Sequence, residues 1–189
     1  MPLFETTIAI DEGEVAKIVA ENWEIKLGKR IKASQNHTFE AHSADGQRKY
    51  AVRVTPDPQG RHLQRVSDEL LFVRFLADAG LTHICAPVPP PAQPQRPFLA
   101  VGSLLIAVFE WAQGVPLGFT EFRWMRDKAV IRAWGRFFAQ LHRLSRRFGQ
   151  EQPEVAQRIQ RWDQIHENTL AGIKLHPGED AAGYRILSC

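Results

Sequence analysis

The chain has 189 residues, about 1.3 domains at ~150 residues each, so one complete fold or one lobe plus part of another fits. A chain of this length buries about 70% of its unfolded surface and needs neither disulfides nor metal to fold. With 44% hydrophobic residues, 24% charged residues, 12 Pro, 13 Gly and a net charge of +3, it is neither disordered, collagen-like nor coiled-coil.

Asp11 to Trp23 is predicted as a short helix. Asp11 can cap it, and Glu14 completes an Asp variant of the capping box. Residues 24–33 (EIKLGKRIKA) are a predicted strand, and SQNHTFEAHS is a polar turn leading into a second. Asp45-Gly46 is a hairpin signal joining it to a third strand, RKYAVRVT. In that strand Tyr50, Val52 and Val54 alternate with Ala51, Arg53 and Thr55. After a turn rich in Pro and Gly, His62 to Ala79 is predicted as a helix, with Gly80 in the position after its cap.

Ala86 to Pro97 holds six of the twelve prolines and cannot be helix or central strand; it reads as a stiff connector. Phe98 to Val101 and Ser103 to Trp111 are two further strands, expected as a hairpin, and Gly114 and Pro116 end that segment. From 127 to 148, Val130, Trp134, Phe137, Leu141, Leu144 and Phe148 recur at helical spacing, so an amphipathic helix with its arginines outward is expected. Residues 149–189 are polar, weakly helical and then loop-like. Five strands, one helix among them and helices after them predict an antiparallel α+β lobe leading into a helical lobe.

The pI is near 9.1, and the excess charge is local. Glu121 to Arg161 carries ten Lys/Arg against four Asp/Glu, which reads as a solvated helix face. No RNA-binding aromatic signature or helix-turn-helix pattern accompanies it, so nucleic acid is not an expected partner. The longest purely apolar run, Leu104 to Phe109, is far too short for a bilayer, and no membrane partner is expected. MPLFETTIAIDEGE has no signal-peptide pattern. Cys85 and Cys189 form no disulfide framework, and a reducing cytoplasm is the expected setting.

Three places carry candidate chemistry. Glu69 sits in the middle of an apolar helix face, flanked on the wheel by Leu76, Val73, Val66 and Phe72. A buried carboxylate there requires a cation. Arg53, a cation inside an otherwise apolar strand, is the mirror case, so an Arg53–Glu69 pair between strand and helix is expected, structural or functional. The turn Ser34-Gln35-Asn36-His37-Thr38 is either an ordinary hairpin or a source of hydroxyls and N–H groups for a phosphate. The segment from Leu104 to Gly114 is a core strand with its exit turn, or one whose backbone at Glu110 and Trp111 holds a flat ligand such as adenine.

Together these parts resemble the N-terminal portion of the aminoglycoside phosphotransferase / choline-kinase-like family, within the protein-kinase-like fold. The resemblance covers about residues 8–148. It rests on SQNHTFEA, YAVRV, SDELLFVRFLADAGL, LLIAVFEWAQGVPL and WGRFFAQLHRLS, in the family's order. It implies a nucleotide-binding lobe over residues 1–112, a five-stranded antiparallel sheet plus helix. A hinge exit and an incomplete helical C-lobe would follow over 113–189. It implies ATP as cofactor, with Mg²⁺ in a full-length relative. Ser34, Asn36, His37 and Thr38 would form the nucleotide loop, and Arg53 would hold the phosphates, oriented by Glu69. The hinge at Phe109, Glu110 and Trp111 would hold adenine.

The catalytic loop of such kinases reads His-Gly-Asp-x-x-x-x-Asn. Its Asp accepts the substrate hydroxyl proton and its Asn binds Mg²⁺. His166-Glu-Asn168 has no Asp. Leu175-His-Pro-Gly-Glu179 follows Gly172-Ile-Lys174 and ends in Glu instead of Asn. Gly183 to Leu187 resembles the strand leading into that loop, and Ser188-Cys189 follow it. No catalytic or metal-binding residue is therefore assigned. The expectation is a small-molecule hydroxyl kinase truncated before its catalytic loop and inactive by itself. A pseudokinase-like module that binds ATP, or a protein partner over its exposed lobe interface, is the alternative.

Overall fold

A computed structural model describes residues 8–34, 36–114 and 126–159. Helix α1 (Glu12–Trp23) starts where expected: the Asp11 carboxylate accepts from the Gly13 and Glu14 amides at 2.8 and 3.1 Å. Strands β1 (Ile25–Ala33), β2 (His37–Ser43) and β3 (Lys49–Pro56) follow as a meander. The Asp45-Gly46 turn joins the last two, with Gly46 at φ 70°, where a side chain would be strained. Then come α2 (Leu63–Asp78), β4 (Pro87–Val88), β5 (Leu99–Val101), β6 (Leu104–Glu110), α3 (Lys128–Glu151) and α4 (Pro153–Arg158).

The antiparallel sheet runs β1-β2-β3-β6, and both β4 and β5 pair with the far side of β6. It therefore has six strands among the described residues, not five. The extra one, Pro87–Val88, lies at the sheet edge, where a missing N–H costs no central ladder bond. The β5–β6 hairpin forms as expected.

Strand alternation gives the sheet two different faces. Phe39, Val52, Val54, Ile106 and Val108 point to one face and pack with Val15, Ile18, Val19 and Trp23 of α1. Each fully buried Val or Leu there contributes roughly 1.5–3 kcal/mol. The Trp23 indole N–H donates to the Val88 carbonyl at 2.7 Å, tying α1 to the β4 edge. The other face carries Leu105 and Ala107, covered by Val66 and Leu70 of α2. A third cluster joins Leu76 and Leu81 to Leu144 of α3, with Phe72, Phe75, Phe137 and Leu141 around it.

Helix α2 is secured at both ends. Asp57, only 7% exposed, accepts from the Arg61, His62 and Leu63 amides and so caps the helix from the preceding turn. At the other end Gly80 takes φ 79°, the Gly80 amide donates to the Ala77 carbonyl and Leu81 to Leu76, a Schellman close with Leu76 and Leu81 in one cluster.

Helix α3 extends three residues beyond the expected end at Phe148. Along its apolar stripe Leu144 and Phe148 are buried, Val130, Phe137 and Leu141 are half-buried and Trp134 is exposed, as are Ile131 and Phe138 beside the stripe. Among the described residues, α2 meets α3 through the cluster around Leu144, and Phe148 stacks edge-on against Phe72 and Phe75. No described helix is long and apolar enough to cross a membrane.

Helices α2 and α4 are joined by an ion pair. Arg158 Nε and Nη2 donate to Asp68 Oδ2 and Oδ1 at 2.8 and 2.9 Å, and Gln64 Nε2 donates to Oδ1 at 2.9 Å. The Arg158 hydrogen bonds, chiefly, hold the Asp68 carboxyl below its ordinary value; burial opposes them and the Gln64 bond assists. A depressed carboxyl contributes stability that is complete above its unfolded value and is lost as pH falls through the folded one. Asp68→Asn is therefore expected to flatten the acid limb of the stability profile below about pH 4. Urea unfolding at several pH values checks this, and parallel profiles for parent and variant would contradict it.

Candidate functional site

Arg53, Thr38 and Ala107 are register partners across β2, β3 and β6, so they share one row on the α2-facing side. The next row holds Glu40, Ala51 and Phe109. Arg53 is the cation of this row, with one-fifth of its side chain exposed. Its Nη1 donates to Glu69 Oε1 at 2.6 Å, and its guanidinium lies 5.2 Å from the Phe109 ring centre. The expected strand-to-helix pair is therefore present.

The surroundings of Glu69 differ from expectation. Its side chain is about half exposed rather than buried. The inward arc of α2 does centre on Glu69, but that arc packs against two separate clusters. Val66 and Leu70 meet the sheet, and Leu76 meets α3. Glu69 falls between them. A helical wheel shows direction, not whether anything fills the space in that direction.

Arg53 Nε and Nη2 are buried and have no hydrogen-bond partner among the described residues. That edge of the guanidinium is the same Nε/Nη2 fork with which Arg158 grips the Asp68 carboxylate. Leaving buried donors unsatisfied costs about 1–3 kcal/mol, so the edge is chemically prepared for a paired anionic oxygen.

The nucleotide-loop residues divide. Ser34 and Asn36 form the tight turn between β1 and β2, and the Ser34 amide is already used by the Asn36 carbonyl at 3.0 Å. His37 and Thr38 lie in β2, not in the turn. Thr38 stands beside Arg53. The His37 ring points to the opposite face, is 1% exposed, and makes a 2.8 Å bond with the Ile8 carbonyl. Its imidazole cannot reach a ligand beside Arg53, because adjacent strand residues face opposite ways.

At the hinge the Phe109 ring faces the Arg53 row. The Glu110 amide donates to the Ala86 carbonyl at 2.9 Å, so this N–H is not open to adenine. Trp111 carries the Lys49 ammonium 3.8 Å above its ring. Lys49 also pairs with Glu40 at 2.9 Å, and Lys29 pairs with the other Glu40 oxygen at 3.2 Å. The Lys49 bond, then that of Lys29, lowers the Glu40 carboxyl below its ordinary value. Gly28 packs closely here, since a Cβ would stand 3.2 Å from the Glu40 carbonyl, a tight contact. Sequence reasoning missed the Glu40–Lys49–Trp111 group. Its signal was available in the hairpin register, which places 40, 49 and 51 on one face. Half-buried Cys85 has its thiol pushed up by burial and then by Glu110, against a reactive role.

The segments at His166–Asn168, Leu175–Glu179 and Gly183–Leu187 lie outside the described residues, as do Pro116 and Cys189. Among the described residues no group of three or more His, Cys, Asp or Glu side chains gathers to hold a metal ion.

An antiparallel sheet with one helix set across it by a cation–carboxylate pair is an α+β arrangement. The model of the phosphotransferase enzyme family (APH) matches residues 28–184, and the chain belongs to that family. No curated protein matches. A solved structure, amicoumacin kinase hAmiN in complex with AMP-PNP, Ca²⁺ and Ami, is similar at 18% identity with a TM-score of 0.47. The likeness covers 61% of this chain and 35% of that one.

Glu69→Ala is expected to leave a mostly buried guanidinium unpaired and to lower stability by about 1–3 kcal/mol. Arg53→Met, which removes the charge and keeps the stem, is expected to cost less than Arg53→Ala. Urea unfolding of the three variants gives the ranking, and a Glu69→Ala that unfolds like the parent would contradict the pairing.

Proposed function

We propose that these residues form the nucleotide-holding lobe of an ATP-dependent phosphotransferase acting on a hydroxyl of a small molecule. The observation that carries this reading is the partnerless Nε/Nη2 edge of Arg53. Glu69 restrains one end of the guanidinium, and a nucleotide phosphate would take the fork at the other. Thr38 beside it offers a hydroxyl, and the Ser34–Asn36 turn lies at the end of the same hairpin. Ala51 leaves space in the next row, with Phe109 across from it, where a base would lie. The carbonyl groups and Trp111 of the hinge, not the Glu110 N–H, would meet its edge.

Phosphoryl transfer needs a base for the acceptor hydroxyl and ligands for Mg²⁺, and no residue of this chain is assigned either role. The lobe supplies position and charge to the nucleotide, and by itself is expected to bind without turnover. A second reading, a binding module that engages a protein partner, is favoured by the exposed Ile131 and Phe138 on α3.

MgATP at a hundredfold excess over its dissociation constant adds about 2.7 kcal/mol, a rise in melting temperature of about 2–4 °C per kcal/mol for a chain of this size. Arg53→Ala is expected to abolish the rise and Arg53→Lys to retain part of it. No rise for the parent at millimolar MgATP would overturn the nucleotide reading and leave the protein-binding one.

A further inference from the structure

Asp68 and Glu69 are neighbours on α2, one turned toward α4 and the other toward Arg53. Asp68 is 5% exposed, and every hydrogen bond it makes is directional: two from the Arg158 fork and one from Gln64 on its own helix. Its partner lies 90 residues away in sequence. Asp68 is buried but the Arg158 side chain is 45% exposed, so the half-buried pair adds little net stability and can serve instead to fix one arrangement among several.

The arrangement it fixes is the roll of α2 about its axis. Val66 and Leu70 meet the sheet through apolar contacts, which are not directional and tolerate a small rotation. A bidentate fork does not. With side chains about 5–6 Å from the axis, a roll of about 10° would carry the Glu69 carboxylate about 1 Å. The Arg53–Glu69 contact is 2.6 Å, so a displacement of that size would end it as a good hydrogen bond.

We infer that Asp68 and Arg158 form a latch through which α4 positions Glu69 against Arg53, making both of them positioning residues for the anion site. The latch touches neither the proposed nucleotide position nor Arg53. Its link to nucleotide affinity rests on the reading given under Proposed function; its link to Arg53 geometry does not.

Three variants test it: Arg158→Ala; Arg158→Lys, which keeps the charge and loses the fork; and the neutral pair Asp68→Asn with Arg158→Gln, which avoids a lone buried charge if Arg158→Ala does not fold. The first readout is the Arg53 Nε–H resonance in ¹⁵N-resolved spectra, assigned by its disappearance in Arg53→Lys. It is expected to shift in Arg158→Ala and in the neutral pair, and to move part of the way back in Arg158→Lys. An unmoved resonance in a folded latch variant would overturn the proposal. The second readout is the MgATP dissociation constant. Losing the latch is expected to weaken binding about fivefold, a common size for coupling between residues in contact. In a Glu69→Ala background the same change is expected to have no effect, because the latch acts through Glu69. An equal loss in both backgrounds would also overturn the proposal. If the parent binds no MgATP, the nucleotide reading falls and the Arg53 resonance still decides the latch.

Discussion

A mostly buried guanidinium between sheet and helix is the constraint around which this lobe is arranged. Arg53 stands in a strand flanked on both sides, with Thr38 and Ala107 as its cross-strand partners. It cannot shed its charge, so the fold must bring a carboxylate to it. That sets where α2 lies. Asp57 starts the helix, the Gly80 close ends it, Val66 and Leu70 press it on the sheet, and Asp68 holds it from the far side. Each of these features would be unremarkable alone. Together they leave Glu69 one position, within bonding distance of Nη1.

The roof beside Arg53 sorts charge by row. Glu40 is saturated by two lysines, and one of these also covers Trp111. The acidic group nearest the proposed base position is thereby neutralised, whereas the cation of the adjoining row is only half satisfied. A negative ligand is favoured over a positive one by this asymmetry, and by Lys29, Lys49 and Arg53 outnumbering Glu40 and Glu69 around it.

Periodicity made most elements legible. The Asp11 cap, the Asp45-Gly46 turn, the alternation through Tyr50 to Thr55 and the Gly80 close are local signals, and local physics decides them. The pairing of Arg53 with Glu69 was legible because each is a charge in an apolar pattern. Three things were not. The openness around Glu69 depends on the gap between two clusters that no single element encodes. The facing of His37 depends on β2 starting one residue after Asn36, and a shift of one residue in a strand start reverses a side chain. The Asp68–Arg158 pair joins residues that look like ordinary surface charges in their own segments. Only the third dimension distinguishes Asp68 from the exposed Asp78 on the same helix.

The path of the chain through the sheet also bears on how the lobe assembles. The hairpins β1–β2 and β2–β3 join neighbours in sequence, and such contacts form early. Pairing of β3 with β6, where Pro56 meets Leu104, instead closes a long loop that contains α2, β4 and β5. Closing it loses chain entropy before any contact offsets that loss. Arg53 and Thr38 belong to the early part, and Glu69 and Phe109 arrive only with the closure. Until β6 is seated Arg53 lacks its Glu69 and Phe109 neighbours, so the Arg53–Glu69 pair is a late product of folding and a sensitive reporter of its completion.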